Sequence, residues 1–174
     1  MKAEAEKIFD QTMRELLSII DGFSPSELNQ IPFSGSWTAG QVADHLYKSY
    51  GVIHTLNGNI VPANRAIDEK ILGIKDLFLN YNIKMISPEG ILPSSGYIEK
   101  EDLLKGLKIK ISQFKDIIAQ EDLSLVCTDY AIPEYGPFTR LEWIYFTIYH
   151  TKRHLKQLEH IKEKVAAGHI KNSI

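Results

Sequence analysis

Residues 143–161 read WIYFTIYHTKRHLKQLEHI, and the fold turns on their periodicity. The four-apart row Phe146, His150, His154, Leu158, with Trp143 and Ile161 alongside, is the apolar stripe of an amphipathic helix. Positions four apart on such a helix differ by about 40°, so His150 and His154 share its core-facing side. His160, rotated by about 240° from His154, is expected in solvent beside Glu159 and Lys164. His169 falls in the terminal run AAGHIKNSI, expected to fray. The helix is introduced by GPFTRLEW, with Thr139 as N-cap and Glu142 three residues on, a capping-box pattern.

Working outward, three more segments carry the same period. Residues 2–21 place Ile8, Phe9, Met13, Leu16, Leu17 and Ile20 on one face, stopped by Gly22. FSPSELNQIPF follows as a turn region in which Ser24 caps and Pro25 takes a first helical position. GSWTAGQVADHLYKSYGVIHTL opens a second long helix with Thr38 as cap and Gln41 closing a capping box. Trp37 and Val42 flank that cap at hydrophobic-staple positions. A third long helix is predicted from about Ile98, its stripe formed by Leu103, Leu104, Leu107, Ile111, Phe114, Ile117 and Ile118. Between the second and third, NGNIVPAN reads as turn and RAIDEKILGIKDLFLN as a helix weakened by Gly73. YNIKMISPEGILPSSGY reads as irregular crossover. No strand pair is evident. The expectation is one all-α domain spanning 1–174, a four-helix bundle with a long crossover between helices 2 and 3.

A metal site in a bundle draws its ligands from facing helices, so a third histidine is sought on the second helix. His45 and His54 are nine apart and point to opposite sides. His45, between Val42 and Leu46, is the core-facing one. Two readings stay open for His45, His150 and His154. They hold a metal with coordination positions free for substrate, or they form a polar core layer satisfied by Tyr, Asp or backbone groups.

Here the residues resemble a known family. Trp37, Thr38, Gln41 and His45, followed by His150, His154 and Gln157, are similar to the paired motifs of the DinB/YfiT-like superfamily. The resemblance implies a four-helix bundle, a homodimer, and a divalent ion such as zinc or nickel held by His45, His150 and His154. It also implies activation of a low-molecular-weight thiol or water toward a small electrophilic substrate. Trp37, Gln41, Arg153 and Gln157 are the candidates for pocket wall or ligand support, Arg153 and Gln157 by holding a substrate carboxylate or fixing imidazole tautomers. Trp37, Trp143 and Tyr149 are otherwise expected in core or interface packing. Asp44, about 100° away from His45, is expected as a surface charge. A non-catalytic dimeric metal-binding or stress-related module is the alternative, favoured by the lack of an acidic residue spaced to serve the triad as a base.

Charge and composition exclude other classes. Twenty basic against twenty-two acidic residues, net −2, point to neither nucleic acid nor an anionic membrane. The one cysteine, Cys127, lies in LSLVCTDY, where a thiol is an inert small hydrophobe. No signal-peptide pattern and no long apolar run is present, so a cytoplasmic protein is expected.

Overall fold

The computed structural model describes residues 1–171, with side chains through residue 167; the side chain of His169 lies outside the described residues. Helix α1 (Lys2–Asp21) is followed by the single turn α2 (Pro25–Leu28) and by α3 (Ala39–Ser49). A 3₁₀ turn over Tyr50–Val52 joins α3 to α4 (Ile53–Leu56). Next come strand β1 (Ile60–Val61), α5 (Ile71–Leu79) and α6 (Lys100–Gln120). Strand β2 (Val126–Cys127) precedes α7 (Arg140–Lys171). The molecule is an all-α four-helix bundle built from α1, α3–α4, α6 and α7.

Side-chain bonds fix the direction of each helix. The Lys2 ammonium donates to the Ala119 carbonyl, and Lys100 to the carbonyls of Asp21 and Phe23, so α1 and α6 are antiparallel. Gly40 lies against Ile98, Tyr47 against Gly106, and Tyr50 against Phe114, so α3 and α6 run parallel. Arg140 Nε reaches the Leu56 carbonyl while Tyr50 meets Thr151, so α3–α4 and α7 are antiparallel. Parallel neighbours cannot be joined by a tight loop. The chain must travel back along the bundle, which is why residues 57–99 form a long crossover. Within it, α5 packs on the outside of α7, with Phe78 edge-on to Phe146 at 4.9 Å.

The predicted stripes are the core. Phe9, Leu16 and Ile20 of α1 meet Tyr50, Phe114, Ile144 and Ile148 with almost no exposure, each fully buried side chain contributing about 1.5–3 kcal/mol. Between α3 and α6, a Cβ on Gly106 would stand 2.9 Å from the Tyr47 ring, so any larger residue there would have to displace that ring. The capping boxes at Ser24, Thr38 and Thr139 all form.

Three expectations need correction. A small antiparallel ribbon exists, pairing Ile60 with Cys127 and Val61 with Val126, too short to leave a period in the sequence. The second bundle helix is interrupted at Tyr50–Val52, beside Gly51, instead of running on to Leu56. Helix α6 starts near Ile98 as expected, where the Asn29 side-chain amide holds both the N–H and the carbonyl of Ile98. Helix α5 begins at Ile71, not near Arg65, because buried Glu142 takes up the preceding residues. Its carboxylate accepts from both terminal nitrogens of Arg65 at 2.7 Å, from the Lys70 N–H and from the Thr139 N–H. Among the described residues no helix is long and apolar enough to cross a membrane.

Candidate metal centre

Three elements converge halfway along the bundle. Helix α3 supplies His45, α7 supplies His150 and His154, and the crossover supplies the main chain of Ile91. The capping box at Thr38 sets the phase of α3, and that at Thr139 the phase of α7. Given those phases, the helical repeat aims all three imidazoles at one point. His45 Nε2 lies 3.2 Å from His150 Nε2, and His154 Nε2 lies 3.1 Å from the same atom. The rings stand edge to face, with centroids 4.6–5.1 Å apart.

The outer nitrogens decide what the inner ones are. His45 Nδ1 stands 2.8 Å from the Ile91 carbonyl, which can only accept, so that nitrogen carries the proton. His154 Nδ1 donates to Gln157 Oε1 at 2.9 Å. Ser49 gives its own hydrogen to the Leu46 carbonyl, leaving its oxygen to accept from His150 Nδ1 at 3.5 Å. Each ring therefore presents the lone pair of Nε2 inward. Three acceptors face one another with no donor among them.

Protonation does not relieve the arrangement. Burial, then the neighbouring imidazoles His154 and His45, hold His150 well below its usual range. Burial and then His45 push His154 down to about 4, and burial also lowers His45. All three are neutral at neutral pH, the state in which an imidazole can bind a metal. Ring nitrogens bonded to one ion at about 2.1 Å, at angles of 90° to 109°, stand about 3.0–3.4 Å apart. The two measured separations fall inside that range, and all three ligand atoms lie within 4.8 Å of one another. The donor set fits a divalent cation.

The triad opens into a cleft of about 1240 Å³ between α3, α7 and the crossover. Trp37 lies on its wall, 5.3 Å from the His45 ring, while its other side packs against the core, so it takes both of its expected places. Trp143 is both core and wall; its indole N–H is the one buried side-chain polar atom without a hydrogen-bond partner among the described residues. Tyr149 packs beside Tyr145, away from the cleft.

The remaining candidates separate. Gln157 fixes the tautomer of His154. Arg153 lines the cleft but does not fix a tautomer: its guanidinium donates to the carbonyls of Phe78, Asn80 and Ile83, tying the crossover to α7. Gln41 is no pocket residue, since its amide closes the capping box and reaches the Ser94 carbonyl at 3.2 Å. Asp44, expected as a free surface charge, pairs with Lys48 at 3.0 Å and accepts from the Ser94 N–H at 2.7 Å. Sequence reasoning gave no role to Ser49 and missed the Ile91 carbonyl, a main-chain group with no side-chain signature. His54 and His160 are exposed. Burial pushes the Cys127 thiol up to about 11, as an unreactive core cysteine requires.

The order of motifs along the chain and the bundle they form match a known family over residues 8–158, the DinB superfamily. The chain belongs to the DinB superfamily. YuaE of Bacillus subtilis (strain 168), itself uncharacterized, is 29% identical over 163 residues, covering 91% of this chain and 97% of YuaE. Among solved structures, YfiT from Bacillus subtilis superposes with a TM-score of 0.59 at 15% identity, over 95% of this chain and 87% of that one. YfiT is described as having "an unusual four-helix bundle topology". The DinB fold is thus shared although few side chains are.

Proposed function

We propose that this chain is a metal-dependent enzyme in which His45, His150 and His154 hold a divalent cation, zinc or nickel, at the floor of the cleft. The observation that carries this reading is the convergence of three Nε2 lone pairs with every Nδ1 committed to an acceptor. Neutral imidazoles accept zinc, nickel, copper and iron alike, so the choice of ion is part of the proposal. YfiT, described as "a probable metal-dependent hydrolase", adds support from the same fold.

A divalent cation there supplies Lewis acidity, lowering the pKa of a thiol or water that reaches it. The chain's own groups do the rest. Gln157, Ser49 and the Ile91 carbonyl hold each imidazole in the tautomer that leaves Nε2 free. Trp37, Phe78 and Phe146 line the approach and limit water. No protein nucleophile is required: the thiol or water attacks a small electrophile seated in the cleft, by transfer or by hydrolysis. The proposal includes a cytoplasmic homodimer.

Elemental analysis of untagged protein, with titration of Zn²⁺ and Ni²⁺, tests the reading. One ion per chain is expected, lost in His45→Ala and His154→Ala. If no divalent ion copurifies or binds, and His154→Ala alters neither metal content nor melting temperature, the metal reading fails. Turnover of thiol-plus-electrophile pairs and activated esters then tests the enzyme claim.

One observation favours the alternative of a non-catalytic metal-binding module. Among the described residues no Asp or Glu lines the cleft, so none of them offers a carboxylate as a general base. Under that reading the ion raises the melting temperature while the substrate panel shows no turnover.

A further inference from the structure

The cleft is charged in one sense only. Acidic residues outnumber basic ones in the whole chain, 22 to 20, yet among the described residues the cleft is lined by Lys48, Lys84, Arg153 and Lys156 and by no carboxylate. Lys48 is already neutralised by Asp44 at 3.0 Å. The other three have no carboxylate partner among the described residues. Arg153 spends its hydrogen bonds on carbonyl oxygens, which carry no compensating charge. Lys156 stands 3.9 Å over the Tyr81 ring, and the Arg153 guanidinium lies 6.0 Å from the same ring. Lys84 and Lys156 are exposed at the rim, while Arg153 is half-buried nearer the histidines. The walls between are aromatic and aliphatic, including Trp37, Phe78, Phe146 and Met85.

Side chains of one sign around a low-dielectric concavity focus their field into it and raise the local concentration of the opposite ion. An apolar wall with a few charged groups at one side selects a ligand with a flat apolar body and a charged end. We propose that the cleft takes an anionic amphiphile, an aromatic carboxylate or phosphate whose ring lies on the Trp37–Phe78–Phe146 wall and whose charge faces Arg153, Lys84 and Lys156. This names the substrate class of the proposed enzyme and rests on that reading for its role, but the recognition is built from residues other than the three histidines.

Four ligands with one body separate charge from shape: 1-naphthoate, 1-naphthyl phosphate, 1-naphthalenemethanol and 1-naphthylmethylamine. Each is titrated calorimetrically into the full chain, once chelator-treated and once loaded with Zn²⁺. The anions are expected to bind about tenfold tighter than the alcohol, the amine weakest, with the preference shrinking as salt rises. Comparing naphthoate with naphthyl phosphate identifies the preferred head group. Lys84→Glu with Lys156→Glu, both exposed and so tolerated by the fold, is expected to cost the anions about tenfold and leave the alcohol unchanged. Binding of all four ligands with equal affinity, a charge reversal that weakens all four alike, or no binding at all overturns the proposal. Anion preference that persists without metal sustains it even if the histidines prove to bind no ion, so the two readings fail separately.

Discussion

Two buried polar clusters sit about two turns apart on α7, and they are built on opposite principles. At Glu142 a carboxylate with no exposed surface receives Arg65 and two backbone N–H groups, one of them that of the cap residue Thr139. Donors and acceptors match. At His150 and His154, with His45 opposite, the outer nitrogens are satisfied and the inner ones are aimed at each other, acceptor against acceptor. A buried group that the protein satisfies is structure; buried lone pairs that the protein gathers and leaves unmatched are arranged for something else. Glu142 organises the first part of the crossover, and the histidines sit where its later part passes at Ile91.

Removing a member of the matched cluster carries the largest expected cost. Glu142→Ala strands a half-buried guanidinium and two N–H groups, and a loss of about 3 kcal/mol is expected in urea denaturation. A loss under about 1 kcal/mol erases the distinction between the clusters.

The unmatched cluster is expected to respond to metal instead. At a hundredfold excess over its dissociation constant, Zn²⁺ stabilises wild type by about 2.7 kcal/mol, read as a rise in melting temperature, and His154→Ala abolishes that increment. An equal increment in the variant breaks the contrast.

The third prediction uses pH. All three imidazoles are held below the unfolded value of about 6.5, so as pH falls the unfolded chain takes up protons that the folded, metal-free protein refuses. Stability is therefore complete above about pH 7 and falls below 6.5. The fall approaches about 1.4 kcal/mol per pH unit for each imidazole still neutral in the fold, and His154 stops contributing near pH 4. Denaturation of the chelated protein between pH 7 and pH 5 checks this, and His154→Ala should flatten the slope.

The smallest effect sharpens the comparison. Thr38→Ala removes a cap that positions His45, at about 1 kcal/mol. Melting with and without Zn²⁺ should show the loss shared by both forms, since the cap belongs to the matched part of the molecule.

Much of this is legible in the order of the residues. Helical periods place the four bundle helices, and Thr38 and Thr139 announce two of their starts. The four-residue spacing of His150 and His154, with the opposed directions of His45 and His54, selects the triad and discards His160. Family resemblance offers Gln41 as pocket wall or ligand support where spacing makes it part of a cap, and spacing gives no sign of the carbonyls that hold Arg153. A residue's face on its own helix does not say what chain will lie against it. The late start of α5 escapes for the same reason: Glu142 reaches it from 72 residues away.

The sequence by itself determined what is local: period, caps, and which histidines share a face. Each depends on side chains a few residues apart, and that distance is written in the order of the residues. Tertiary structure alone decided that α3 lies parallel to α6, that Arg153 spends itself on carbonyls, and that Ile91 offers its oxygen to His45. Main-chain carbonyls are the same in every residue, so which of them a side chain meets is settled only when the helices pack.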